Sequence, residues 1–345
     1  MKSRALSVTG ILTAGIFLSS SVTGWMDKPK PIDLKTIRQS VTKSMLLLQK
    51  SAYTFTNNAR LKCASCHHNT LTAMATEIAK RKGISVVDSL SKRNVAAMKF
   101  TMMFAGNPNL VNNFLAVNFA PPYILLGLYA EKYPSDMYTD LYADYLISQA
   151  KPDGSFLAES GRIPLESGDI HLTAMAIRAI QVYSSPAKKK HVDELVANTR
   201  QWLERQNPHQ QQELSFQLLG MQWCGSGEEQ KKNVAQKLIS MQNKDGGWSQ
   251  LPTLESDAYA TGQVLYALYE SGMTKPEDDA YQKGINYLLE KQDDKGAWEV
   301  ATRSFPIQPF VDSQFPPYNQ DQFISAAATN WSVMALMNAL PDKTK

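Results

Sequence analysis

Cysteine is scarce in this chain, with three among 345 residues. Two of them share one five-residue segment, so Cys224 is left as an odd thiol, read as a small buried residue. An excess of one charge sign is also lacking. Thirty-six basic against 32 acidic residues leave a formal charge of +4, too weak a bias for a nucleic-acid partner. The densest basic run, Lys188-Lys189-Lys190-His191, falls where one helix hands over to the next and reads as a solvated turn. Beyond the first two dozen residues there is no run of ~18 apolar residues, so no membrane span is expected there. Strand-like alternation is scarce as well, which turns the reading away from β architecture.

The first stretch differs from the rest. Lys2 and Arg4 precede an apolar segment from Ala5 to Val22, and Val22 and Gly24 suit cleavage positions. This pattern predicts a secretory signal over 1–24, followed by a single soluble domain over 25–345 that is periplasmic or secreted. An uncleaved anchor is the rival reading. No cysteine lies near the cleavage point, which argues against lipid attachment.

From Leu34 onward apolar residues recur at three- and four-residue spacing, with Gly and Pro between segments. Twelve helices are expected, over 34–57, 69–82, 87–105, 109–132, 135–149, 168–183, 187–206, 213–223, 228–242, 257–271, 276–292 and 321–339. Laid over one another, they repeat. Gln149-Ala150-Lys151-Pro152-Asp153-Gly154-Ser155-Phe156, Gln242-Asn243-Lys244-Asp245-Gly246-Gly247-Trp248 and Gln292-Asp293-Asp294-Lys295-Gly296-Ala297-Trp298 each end a helix in Gln, turn on Gly and present an aromatic residue. A small-residue-rich helix follows. Asp169-Ile170-His171-Leu172-Thr173-Ala174 aligns with Asp257-Ala258-Tyr259-Ala260-Thr261-Gly262 and with His68-Asn69-Thr70-Leu71-Thr72-Ala73; Ala327-Ala328-Thr329-Asn330-Trp331-Ser332 is a looser copy. Six such pairs predict an all-α closed ring of helical hairpins, six helices inside six.

These turns, with Ser256-Asp257-Ala258-Tyr259-Ala260-Thr261-Gly262-Gln263, resemble the repeats of squalene cyclases and protein prenyltransferase β subunits over about residues 140 to 340. The resemblance implies an α/α toroid with a largely apolar central cavity that in the family holds isoprenoid chains. The chain departs from the family's chemistry. The cyclase Asp-x-Asp-Asp motif is absent, since Asp278-Asp279 and Asp293-Asp294 lack its pattern, and no later repeat carries the Cys of a prenyltransferase zinc site. A fold does not bring its function with it.

Cys63-Ala64-Ser65-Cys66-His67 fits the attachment pattern of c-type haem: two thiols three positions apart for the two vinyl groups, and a following histidine for the iron. Export would suit such attachment. A small disulfide, a zinc site using Cys63, Cys66, His67 and His68, or plain packing are the alternatives. His171, Met102, Met103 and Met221 are candidates for the sixth iron position, beside an open one. By alignment His68, Asp169 and Asp257 should ring one mouth of the toroid. Asp169 and Asp257 read first as helix N-caps, and otherwise as catalytic carboxyls. The Pro- and aromatic-rich stretch from Phe305 to Tyr318 reads either as a lid or as a strap across the last helix pairs.

The leading expectation is therefore an exported haem c protein, working with a redox partner or on a hydrophobic, isoprenoid ligand. A non-catalytic lipid-binding toroid with a disulfide or zinc staple is the second. A cyclase or transferase without the usual acid motif is the third, with Asp257 as its test residue.

Overall fold

The computed structural model describes residues 32–107, 119–158, 161–305 and 310–343. The signal expectation at 1–24, the start of the expected 109–132 helix and residues 306–309 of the Phe305–Tyr318 stretch lie outside the described residues.

Twelve α-helices are present among the described residues: α1 Leu34–Asn58, α2 Leu71–Arg81, α3 Asp88–Ala105, α4 Ala120–Ala130, α5 Met137–Gln149, α6 Asp169–Tyr183, α7 Lys189–Arg205, α8 Gln211–Trp223, α9 Glu228–Ser240, α10 Ala258–Glu270, α11 Asp279–Lys291 and α12 Gln322–Asn338. Their ends follow local chemistry. Asp33 caps α1 by accepting from Lys35 and Thr36 N–H groups, Asp136 and Thr139 form a reciprocal capping box on α5, and Pro121 and Pro122 open α4.

The even-numbered helices close a ring. α2 packs on α4, α4 on α6, α6 on α8, α8 on α10, α10 on α12, and α12 returns to α2. The odd-numbered helices lie outside, and α1, α3, α5, α7 and α11 each bridge two neighbouring inner ones. The two sets differ in sequence as burial requires. Every residue of α12 is buried, whereas α7 buries only Val192, Leu195, Thr199 and Leu203, one stripe of a helix facing solvent. Small residues bring inner helices close: a Cβ on Gly262 of α10 would stand 2.6 Å from the backbone nitrogen of Ser332 in α12. The fold is the expected all-α, α/α toroid of six hairpins.

The three Gly turns explain how each hairpin docks on the next. Gly154, Gly246 and Gly296 have φ of +84°, +88° and +90°, a region that favours glycine. A Cβ there would strike Thr199 of α7, Lys283 of α11 and Lys43 of α1 respectively. The last contact sews the end of the chain onto its first helix. The aromatic of each turn then folds inward. Trp248 and Trp298 donate their indole N–H groups to the Leu238 and Leu288 carbonyls, each at 2.7 Å. The backbone N–H groups of Phe156, Trp248 and Trp298 donate to the hydroxyls of Thr173, Thr261 and Thr329 at 2.9, 2.9 and 3.1 Å. The repeated threonines thus anchor the turns to the inner helices.

The second half of the Phe305–Tyr318 stretch is a strap. The Ser51 hydroxyl and the Asn58 amide of α1 donate to the Ser313 and Asp312 carbonyls. Gln322 of α12 accepts from Ser313, and Phe315 is fully buried.

Candidate functional site

The segment before α2 is pinned from several sides. Ser65 accepts the backbone N–H groups of His67 and His68 through its hydroxyl, winding Cys66–Thr70 into a π-type turn. Asn69 Oδ1 accepts the Ser65 N–H group, its amide donates to Asn94, and Thr101 accepts the Ala64 N–H group. Asn330 of α12 donates to the His67 carbonyl at 3.1 Å. Backbone and neighbours together turn His67 into the inner barrel.

There its Nε2 lies 3.4 Å from Oε1 of Glu166, on the loop before α6, and Arg162 stands 3.3 Å from the other oxygen of that carboxylate. Burial raises the Glu166 pKa, but His67 and then Arg162 outweigh it and hold the carboxyl below its usual value. Cys66, buried beside it, is pushed well up, by burial first and by the Glu166 charge second; burial also raises the half-buried Cys63. All three cysteines are free thiols. His68 turns the other way. It stacks on Phe55 at 5.1 Å and meets the edge of Phe323 at 4.9 Å, and burial drives its pKa down to about 3.

His171, in the first turn of α6, stacks on Phe216 at 3.8 Å. Its Nε2 is 3.0 Å from the Tyr123 hydroxyl, and its Nδ1 is 3.4 Å from the Gln212 amide nitrogen. That amide also donates to the Pro164 carbonyl at 2.7 Å. Burial lowers the His171 pKa to about 3, and the ring is neutral. The Tyr259 hydroxyl donates to Gln212 Oε1 at 2.9 Å, and Gln211 reaches Gln263 at 3.3 Å. A polar belt therefore runs round the inner barrel, through His67, Tyr123, His171, Gln212 and Tyr259. Both ring nitrogens of His67, Gln211 Oε1 and Gln263 Nε2 lack hydrogen-bond partners although buried. Unpaired polar atoms in such a position are unusual in a native interior.

Asp257 sits at the edge of the belt. Its Oδ1 accepts the Ala260 N–H group at 2.9 Å, which caps α10, and its Oδ2 accepts from Gln250 at 3.0 Å, whose oxygen in turn accepts from Arg303 at 2.8 Å. Burial raises its pKa to about 6 against these contacts. A cavity of about 320 Å³ lies between the two carboxyls' supports. Ile163, Pro164 and Gly168 of the Glu166 loop form one wall, Gln250 and Arg303 the other, and Gln212 lies between.

The expected residues thus separate. His68, Asp169 and Asp257 all lie at the N-terminal ends of inner helices, as the alignment predicts. Asp169 differs from the expected cap: Gly168 is the N-cap of α6, and the Asp169 carboxylate accepts the Ala158 N–H group at 2.8 Å, holding the preceding loop. Met102 and Met221 are core residues, and Met103 faces solvent. Glu166, Tyr123, Gln212 and Arg303 were not singled out by sequence reasoning. They act through contacts between distant segments, and only the helix-start position of Gln212 carries any local signal.

The Cys63–His67 segment does not fit a haem. Glu166 stands against Nε2, where iron and porphyrin would have to be, and both Cys66 and His67 are buried with their flanks packed. His171, with both ring nitrogens engaged, is not free as an axial ligand. Among the described residues no three His, Cys, Asp or Glu side chains converge as metal ligands, and no helix is long and apolar enough to cross a membrane.

No known protein-family profile and no curated protein matches this chain. Solved structures do. A variant of the type II terpene cyclase MstE from Scytonema, in complex with its substrate geranylgeranyl dihydroxybenzoate, superimposes with a TM-score of 0.54 at 13% identity, covering 88% of this chain and 98% of that one. A second variant, in complex with the product merosterolic acid A, gives 0.53 at 13%, covering 88% and 98%. A protein from Actinoplanes gives 0.57 at 12%, covering 89% and 99%. The expectation of a haem c electron-transfer protein with a redox partner is corrected accordingly: the MstE structures that share this fold are cyclases with a prenylated substrate or product bound, and the histidine meant for iron faces a carboxylate. What this chain shares with them is the cyclase-like toroid fold.

Proposed function

We propose that this protein is an enzyme of the terpene-cyclase type, which isomerises an isoprenoid-bearing molecule by giving it one proton and taking another back. The observation that carries the proposal is a pair of carboxyls set apart in pKa whose neighbours, Pro164 and Ser167 beside Glu166 and Gln250 and Arg303 beside Asp257, line one cavity. Asp257 is raised to about 6, whereas Glu166 is lowered. Environments that split two carboxyls in this way assign an acid and a base. Asp257 protonates an alkene carbon, and the Glu166–His67 pair accepts the proton released when the cation closes to an alkene. Proton given and proton taken balance, so product and substrate are isomers.

The buried belt beside this cavity carries rings that would favour a cation between those steps. Tyr123, Phe216 and Tyr259 line the belt as aromatic rings, whose faces attract positive charge. The cavity of about 320 Å³ is within the range of small-molecule sites. The solved cyclases bind prenylated compounds in the same fold, which supports the substrate class. The 1–24 segment supports export of the enzyme.

The test is incubation with geranylgeranyl dihydroxybenzoate and with shorter prenylated acids and alcohols, followed by mass spectrometry and NMR. An isomeric product of unchanged mass, lost in Asp257→Asn, is the expected result. Tight binding of these compounds with no conversion would replace the proposal by a lipid-binding toroid.

A further inference from the structure

At the opposite end of the barrel, where α2, α4, α6, α8 and α10 finish, a second and larger cavity of about 640 Å³ opens. Its walls include Ile78, Leu126, Tyr129, Trp223 and Tyr266. It shares no lining residue with the cavity walled by Pro164, Gln212, Gln250 and Arg303.

One half-buried cation in it has no ion-pair partner among the described residues; the other unpaired one, Lys132, is exposed. Arg178 of α6 holds its guanidinium 5.6 Å above the Tyr129 ring and 6.0 Å above the Trp223 ring. Its hydrogen bond is to the neutral Gln181 amide at 3.5 Å. Among the described residues it makes no ion pair. The other arginine at this end, Arg81, is matched by Glu77 at 3.6 Å and Asp342 at 3.3 Å. Glu270, the remaining carboxyl in the wall, is raised by burial first and by Glu77, against the pull of the Arg81 and Arg178 charges, and it forms no ion pair with Arg178.

A guanidinium between two ring faces has its plane fixed and its N–H edges free, the arrangement that pairs with a carboxylate fork. Half-burial has stripped part of its water without providing an anion in exchange. The inner helices end here with partial negative charge, which opposes an anion, but that effect is a fraction of a charge and fades beyond the last turn. Arg178 carries a full charge at the cavity wall. The apolar residues deeper in suit a chain rather than a polar ligand. We infer that this cavity binds a single-chain amphiphilic carboxylate, with Arg178 holding the headgroup and Ile78, Leu126 and Tyr266 the chain. One unpaired guanidinium matches one negative charge.

Titration calorimetry with dodecanoate and with 1-dodecanol tests this on the full chain. The wild type should bind dodecanoate about tenfold or more tightly than the alcohol. Arg178→Gln should lose that preference while keeping its alcohol affinity, which also shows that it folds, and Arg178→Lys should retain part of it. Glu166→Gln, at the other end, should bind dodecanoate like the wild type, whatever becomes of the proposed proton transfer. Equal affinity of wild type and Arg178→Gln for dodecanoate, no preference for carboxylate over alcohol, absence of binding, or loss of binding in Glu166→Gln alone would each overturn the inference.

Discussion

His67 Nε2 lies 3.4 Å from Glu166 Oε1, and this contact ties the turn before the first inner helix to the loop before the third. It is the point where the two halves of the polar belt meet. The segment that looks like a haem attachment site is, in the fold, one side of a buried imidazole–carboxylate pair.

Glu166→Gln removes the charge but keeps the shape. Product formation should fall by about 10²-fold or more, the usual contribution of a positioned base, while urea denaturation shows that the fold survives. Glu166→Asp, which retains the carboxylate on a shorter arm, should recover part of the rate. Equal rates for Gln and wild type would remove Glu166 from the chemistry.

Asp257→Asn should separate stability from activity. A carboxyl whose folded pKa is raised from 3.8 to about 6 favours folding most below the unfolded value and loses that contribution as pH rises through 6. The loss amounts to about 2–3 kcal/mol at most by pH 8. Asparagine can still accept the Ala260 N–H group, so the variant should be at least as stable as wild type at pH 8 and yet inactive. In the wild type, the rate should decline above pH 6 as Asp257 ionises.

Acid should nevertheless weaken the fold. His68 and His171 are each lowered from 6.5 to about 3. Groups shifted that way stabilise the fold above 6.5, and the contribution drains away as pH falls toward 3. Two such histidines, each worth up to about 5 kcal/mol over the full span, outweigh the opposite trend of Asp257, and Glu166, also lowered, adds to them below 4.5. The urea midpoint should drop between pH 7.5 and 5. His171→Gln should flatten that slope, and an unchanged slope would contradict the buried neutral assignment.

Gly246→Ala tests how the hairpins dock. The added Cβ meets the Lys283 carbonyl oxygen at 2.7 Å from a φ of +88°, so strain and clash combine. A loss of about 2–4 kcal/mol is expected. Gly272→Ala, with a φ of +72° and nothing within 4 Å, should cost only about 1 kcal/mol. Equal losses would mean that the turn does not bear on α11.

The hairpin ring was readable from the chain because its signals are local. Periodicity gives the helices, and the Gly turns with Trp248 and Trp298 repeat at each docking point. The helix starts shift by two or three residues where capping or a π-type turn intervenes, as at Gln211 and Leu71. The site was readable only in part. Cys66, His67 and His171 attract notice through residue type and alignment, but their meaning depends on what faces them. Glu166 and Arg303 sit in irregular loops, far in sequence from His67 and Asp257, and no spacing rule connects them. The Cys-x-x-Cys-His spacing was read as a ligand set because sequence shows the donors and not the carboxylate opposite. Asp169 was read as a cap from its position, whereas its partner, the Ala158 N–H group, belongs to the loop behind it.

The most direct test of proton transfer at the Asp257–Glu166 mouth is conversion in heavy water. The wild type is incubated with geranylgeranyl dihydroxybenzoate and shorter prenylated analogues, and products are read by mass spectrometry beside Asp257→Asn. The account predicts an isomeric product carrying one deuterium from solvent, absent in the variant. A product without deuterium, or one formed equally well by Asp257→Asn, would contradict it.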